Sequence, residues 1–234
     1  MAERESRGRR RRRTQRAEPG EPVVVLGLGR FGSAVAAELV GLGFEVLGID
    51  GDGERIQEHA DTLTHAVQAD ATNEEALRQL GVADFRYAVV GIGSDIEASV
   101  LATAAVVDLG VTNIWAKAVS GPHGRILERV GAHHVVYPES DMGHRVAHLV
   151  GGRIIDWFQL DEDFAMVETA VPGELAGRTL GEMGIRDRFG VTVVCIKPPG
   201  GSFTYATPET VLEKGAVVVV AGSSEDTERF ARLE

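Results

Sequence analysis

Between residues 22 and 138, short apolar runs rich in β-branched residues alternate with stretches whose apolar positions recur every three or four residues. PVVVLGLG, FEVLGID, THAVQAD, YAVVGIG, NIWAKA and HHVVYP read as six strands. Short apolar runs closed by Gly or Asp suit strands covered on both faces. RFGSAVAAELVGLG places Phe31, Val35, Leu39 and Leu42 on one stripe of a helix. DGERIQEHAD, TNEEALRQLGV, SDIEASVLATAAVVDLG and GPHGRILERVG read as further helices. Thr72 or Asn73 caps the second of these, with Glu75 or Ala76 at the capping-box position. Strand–helix alternation of this length builds βαβ units, and their fixed handedness gives a doubly wound parallel sheet. The fold class expected for residues 22–138 is therefore α/β and Rossmann-like.

Residues 139–157 read as one amphipathic helix. Met142, Val146, Leu149 and Val150 line its apolar side, and Ile154, Ile155 and Trp157 continue it. Such a helix at a domain edge suits packing on a second subunit. From residue 158 the pattern changes. FAMVETAVP, FGVTVVCIKPPGG and GAVVVVAG read as strands, PPGGSFTYATP as a hairpin turn, and SSEDTERFARL as a closing helix. Residues 158–234 thus form a small α+β module.

Charge adds an arm to this plan. The 234 residues carry a net −11, but residues 1–16 hold eight Arg and two Glu, a local +6, which leaves −17 on the rest. RGRRRRRTQR has no apolar periodicity, so residues 1–21 are expected to be a disordered arm. An acidic body lacks the basic face that nucleic acid requires, so no nucleic-acid partner is expected. No run approaches the roughly 18 apolar residues of a membrane span, and no secretory layout precedes the first strand, so a cytoplasmic location is expected. Cys195 is the single cysteine. It excludes an intrachain disulfide and reads as a core thiol.

The chemistry concentrates at Gly27-Leu28-Gly29-Arg30-Phe31-Gly32, a G-x-G-x-x-G between the first strand and the first helix. Gly27 permits the turn, Gly29 lets a phosphate approach the backbone, and Gly32 allows close helix–strand packing. N–H groups at the helix start attract phosphates. Asp50 ends the second strand, where a carboxylate accepts hydrogen bonds from ribose hydroxyls and disfavours a 2′-phosphate. Arg30 faces the phosphates at a position that is usually small or apolar in dehydrogenases. A guanidinium there makes bidentate bonds to a terminal phosphate. This favours a nucleoside di- or triphosphate over the nicotinamide half of a dinucleotide.

GLGRFG, Asp50, QADAT at 68–72, GIGSDIEASVLAT at 91–103, NIWAKA at 113–118 and PESDMG at 138–143 together resemble the RCK (regulator of potassium conductance) proteins of the KtrA/TrkA type. The resemblance spans residues 22–234. It implies a cytosolic regulatory subunit, peripheral to the inner face of the membrane. The chain would pair into dimers, assemble into an octameric ring and dock on a KtrB/TrkH-like potassium-translocating subunit. ATP/ADP exchange would change the ring, with NAD/NADH as the alternative ligand pair. The resemblance places Asp50, Gly51 and Asp52 by the ribose and Asp70 and Ala71 by the adenine. Ile92, Gly93 and Ser94 fall beside the sugar and phosphates. Lys117, Ala118 and Val119 lie at the carboxyl end of the fifth strand, where open α/β sheets bind ligands and Lys117 would supply positive charge, and His123 falls near the phosphates. Glu139 would help to hold Mg²⁺ or Ca²⁺ with the nucleotide. Ile185, Arg186, Thr192 and Val193 fall where relatives bind cyclic di-AMP; many have asparagine where Thr192 stands.

Two other classes fit less well. An NAD-dependent oxidoreductase needs a proton donor beside the nicotinamide, and the last roughly 75 residues are too few and too strand-like to supply it. A redox-sensing transcription factor needs a basic recognition helix, which the acidic body lacks. No enzymatic activity is expected.

Overall fold

The computed structural model describes residues 18–151 and 153–233. Most of the arginine-rich arm lies outside the described residues. The chain divides into two units, Met1–Pro138 and Glu139–Glu234.

The first unit runs β1 (Pro22–Leu26), α1 (Arg30–Gly41), β2 (Glu45–Asp50), α2 (Gly53–His59), β3 (His65–Gln68) and α3 (Glu74–Gln79), then β4 (Tyr87–Val90), α4 (Ile96–Asp108), β5 (Asn113–Lys117), α5 (Gly121–Val130) and β6 (His134–Val136). The six strands form one parallel sheet in the order β3-β2-β1-β4-β5-β6. Leu26 of β1 registers with Ile49 on one side and Val90 on the other. From central β1 the chain builds outward through β2 to β3 at one edge, then returns to β4 on the other side of β1. Such a reversal opens a crevice at the carboxyl ends of β1 and β4.

Period-two alternation decides the two layers. Val24, Leu26, Val90, Ile114 and Ala116 pack with Leu77, Val106 and Leu127 of α3, α4 and α5. Val23, Val25 and Val89 pack with Phe31, Val35, Leu39 and Ile56 of α1 and α2. Each fully buried Val or Leu contributes about 1.5–3 kcal/mol. The expected α1 stripe holds as far as Leu39. Leu42 is the C-cap residue and 56% exposed, because the helix ends before its side chain turns inward. Asn73, not Thr72, caps α3 by accepting from the Ala76 N–H.

The second unit comprises α6 (Pro138–Val150), β7 (Ile154–Asp161), β8 (Phe164–Ala170), α7 (Leu180–Met183), α8 (Ile185–Phe189), β9 (Thr192–Lys197), β10 (Thr204–Tyr205), β11 (Val217–Ser223) and α9 (Ser224–Ala231). Its sheet is antiparallel, in the order β10-β9-β11-β8-β7. Val167, Val218, Val220, Ile196 and Phe230 form its core. The expected helix over 139–157 is corrected here. It stops at Val150, and Ile154–Asp161 pairs with β8 through Trp157↔Val167 and Phe158↔Met166. Gly151 follows the last helical residue, and glycine costs about 1 kcal/mol in a helix, while β-branched Ile154 and Ile155 favour the strand that follows. Cys195 lies in β9, where burial, aided by the Glu168 charge, pushes the thiol pKa up. Among the described residues no helix is long and apolar enough to cross a membrane.

Candidate functional site: a glycine-walled crevice

The crevice is built around one backbone crossing. Gly27 adopts φ 89°, a left-handed conformation that favours glycine. Its N–H donates to Ile49 O, and the Gly91 N–H donates to Leu26 O. A Cβ at position 32 would lie 1.8 Å from Gly27 O, and one at 91 would lie 3.0 Å from Gly32 Cα. The β1 turn, the start of α1 and the end of β4 therefore touch backbone to backbone. That contact aims the first turn of α1 into the crevice.

The N-terminus of α1 differs from the others in this unit. Asp52, Asn73, Asp95 and Ser120 each cap a helix by accepting from a first-turn N–H. At α1 the N-cap is Gly29, with no side-chain cap and no acidic residue in the first turn. The uncapped N–H groups and the positive end of the helix dipole face the crevice.

Asp50 fixes the opposite wall. It is 7% exposed. Its Oδ2 accepts the Leu28 N–H at 2.7 Å, and its Oδ1 accepts the Asp52 N–H at 2.9 Å. One carboxylate thus ties the glycine turn to the end of β2. Arg55, on α2, donates to Asp50 Oδ2 at 3.3 Å and lies 3.5 Å from Asp52 Oδ2.

The far end of the cleft is set by Asp70. Its Oδ1 accepts both the Thr72 N–H, at 2.9 Å, and the Thr72 hydroxyl, at 2.7 Å. These bonds, the backbone one first, hold its pKa below the usual carboxylate value. A carboxyl with a depressed folded pKa stabilises the fold above its unfolded pKa of about 3.9 and loses that contribution as pH falls through the folded value. Thr72→Val is expected to move the Asp70 midpoint upward, read by carboxyl-carbon NMR titration. An unmoved midpoint would show that the hydroxyl bond is idle in solution.

The cleft encloses about 770 Å³. Of the residues singled out in the sequence, Gly27, Gly29, Arg30, Phe31, Asp50, Gly51, Asp70, Ala71, Ile92, Gly93, Ser94 and Lys117 line it. Lys117 Nζ stands 5.8 Å from the centre of the Phe31 ring and 3.1 Å from where a Gly93 side chain would begin. Gly32, Asp52, Ala118, Val119 and His123 are not on the wall. Gly32 lies beneath it and Asp52 caps α2. Ala118 is buried and Val119 is 43% exposed. His123 is 2% exposed, and burial lowers its pKa. Its Nδ1 accepts the Val119 N–H at 3.3 Å. This bond and the burial favour a neutral ring. Glu139 stands in the first turn of α6, in the second unit.

The sequence reading missed Arg55, Gln68, Ala69, Thr72, Gly91 and Ala98 on the wall. Arg55 was legible in principle, because an arginine three residues after the N-cap Asp52 meets that carboxylate on a helix. In the second unit, Ile185, Arg186, Thr192 and Val193 share a pocket of about 240 Å³ with Ala206 and Pro208. There Arg186 Nε donates to Thr192 Oγ1 at 3.0 Å.

Comparison with known proteins agrees with this geometry. Residues 23–138 match the TrkA-N domain and residues 165–234 the TrkA-C domain. The Ktr system potassium uptake protein C of Bacillus subtilis is 36% identical over 209 residues, which is 89% of this chain and 95% of that protein. The Ktr system potassium uptake protein A of Vibrio alginolyticus is 36% identical over 199 residues, 85% of this chain and 90% of that protein. Among solved structures, the GsuK RCK domain superposes with a TM-score of 0.64 at 21% identity over 93% of this chain. The GsuK channel bound to NAD gives 0.62 at 21% identity over 94%. The chain spans 50% and 40% of those two chains, and the likeness to them is one of fold. With a glycine-walled crevice in its first unit and both domain models matched along its length, the chain belongs to the family of TrkA-N/TrkA-C proteins that includes the Ktr system potassium uptake proteins.

Proposed function

We propose that this chain is the adenine-nucleotide-sensing regulatory subunit of a Ktr/Trk-type potassium transport system. The observation that carries the reading is the uncapped start of α1, set in a cleft with three cations, Arg30, Arg55 and Lys117. A polyphosphate supplies the acceptors those N–H groups lack. The protein regulates and is not an enzyme; its relatives are potassium uptake proteins. Asp50 takes the ribose, Asp70 and Ala71 border the adenine, and Arg30 and Lys117 take the phosphates.

ATP and ADP shift a conformational equilibrium only if one state contacts the γ-phosphate better than the other. Arg30 has the charge and exposure to make that difference. The partner is a membrane-embedded potassium-translocating subunit, with this chain at the cytoplasmic face. Met142, Val146 and Val150 of α6 are 53%, 46% and 79% exposed. Their apolar side suits a second copy, and dimers of this kind assemble into an octameric ring. Mg²⁺ or Ca²⁺ accompanies the nucleotide. Among the described residues no cluster of three or more His, Cys, Asp or Glu is placed to hold a metal, so phosphate oxygens would be its main ligands and Glu139 a single protein carboxylate. The pocket of Arg186 and Thr192 receives cyclic di-AMP.

Calorimetric titration of the full chain with ATP, ADP, NAD, NADH and cyclic di-AMP, with and without Mg²⁺, tests this. ATP or ADP is expected to bind more tightly than either dinucleotide. Arg30→Ala is expected to narrow the ATP–ADP gap by about 1.5–3 kcal/mol, the worth of a charge-assisted hydrogen bond. No binding of ATP or ADP at millimolar concentration would end the reading.

A further inference from the structure

Arg55 holds a position that neither the glycine turn nor the ribose carboxylate explains. It lines the cleft from α2 with a side chain 47% exposed. Its Nη1 lies 3.3 Å from Asp50 Oδ2, the wall proposed to receive the ribose. The same nitrogen lies 4.0 Å from where a Gly29 side chain would begin, on the wall proposed to receive phosphate. The guanidinium therefore stands between the two. In a nucleotide, one methylene and one ester oxygen separate the ribose ring from its first phosphorus, so that gap is where the α-phosphate passes. Arg30 is the first residue of α1 and answers to the far end of the phosphate chain.

We infer that Arg55 is a specificity-determining residue that binds the α-phosphate, the phosphate common to every 5′-nucleotide, while Arg30 reads the terminal one. This rests on the nucleotide reading above. A guanidinium spends only part of its fixed fork on Asp50 and Asp52 and keeps N–H groups for a phosphate oxygen. Arg55 also offsets Asp50 in a cleft that must admit a polyanion. The two arginines then divide the work. Arg55 separates nucleotides from nucleosides, and Arg30 separates triphosphate from diphosphate.

The test is competition binding of adenosine, AMP, ADP and ATP to the full chain, comparing wild type, Arg55→Ala and Arg55→Lys. Arg55→Ala is expected to weaken AMP, ADP and ATP alike, by about tenfold. Adenosine affinity and the ATP-to-ADP ratio should stay as in wild type, and Arg55→Lys should recover part of the loss. If adenosine weakens as much as AMP, Arg55 acts only by holding Asp50 and the inference fails. It fails equally if AMP affinity is unchanged, or if the ATP-to-ADP ratio moves. Should thermal melting show that Arg55→Ala disturbs α2, Arg55→Gln replaces it with the same expectations. Wild-type protein that binds none of the four ligands would overturn the nucleotide reading itself, a result distinct from any change confined to the variants.

Discussion

Gly32→Ala is expected to abolish nucleotide binding and to destabilise the first unit. The added methyl would sit 1.8 Å from Gly27 O and 3.0 Å from Gly27 C, both backbone atoms of the turn. No rotamer relieves a clash with backbone, so α1 must back away from β1. Forced overpacking of this kind costs about 1–3 kcal/mol, occasionally more. The displacement matters more for function than for stability, because the first turn of α1 carries the N–H groups aimed at phosphate, and hydrogen bonds weaken steeply once length and angle depart from their optimum. Gly41→Ala is the control in the same helix. A methyl there meets nothing within 4 Å, and relief of glycine's conformational entropy should leave stability equal or slightly higher. Thermal melting with and without ATP reads both effects. Wild type and Gly41→Ala should gain stability with ligand by mass action, while Gly32→Ala should melt earlier and gain none. A ligand-induced gain in Gly32→Ala equal to that of wild type would show that this crossing does not set the site.

The first unit was readable because its strands and helices differ in period and are closed by glycine or by a capping side chain. Asp50 and the hexad Gly27–Gly32 announced the crevice because both occur at fixed places in a βαβ unit. Residues 139–157 misled because Ile154, Ile155 and Trp157 continue an apolar character that also fits a helix. Only pairing with β8 decides for a strand, and that pairing is non-local. His123 was unreadable for a similar reason. The resemblance places His123 near the phosphates, yet packing leaves it 2% exposed and off the cleft wall. Arg55 and Gly91 escaped because their roles depend on what they meet across the crevice: the Asp50 carboxylate for one, the Gly32 backbone for the other.

Asp50→Ala is expected to damage both fold and binding, and the two losses separate by ligand. Removing the carboxylate strands the Leu28 N–H, which belongs to a residue 2% exposed. A buried donor without a partner costs about 1–3 kcal/mol. It also frees the Asp52 N–H and releases Arg55 from its closest acceptor. ATP should then weaken by about tenfold to a hundredfold, as one or two ribose hydrogen bonds are lost. Asp50→Asn keeps one oxygen but sets an amide donor against a backbone donor, so it should recover little. The decisive comparison uses 2′,3′-dideoxy-ATP, which has no hydroxyl for the carboxylate to accept. Wild type should bind it about as weakly as Asp50→Ala binds ATP, and Asp50→Ala should bind both ligands equally. That pattern places the loss in the ribose contact, since a collapsed turn would weaken the dideoxy ligand further in the variant. If wild type binds 2′,3′-dideoxy-ATP as tightly as ATP, the Asp50 oxygens serve only the backbone. The sugar must then be held elsewhere along the crevice.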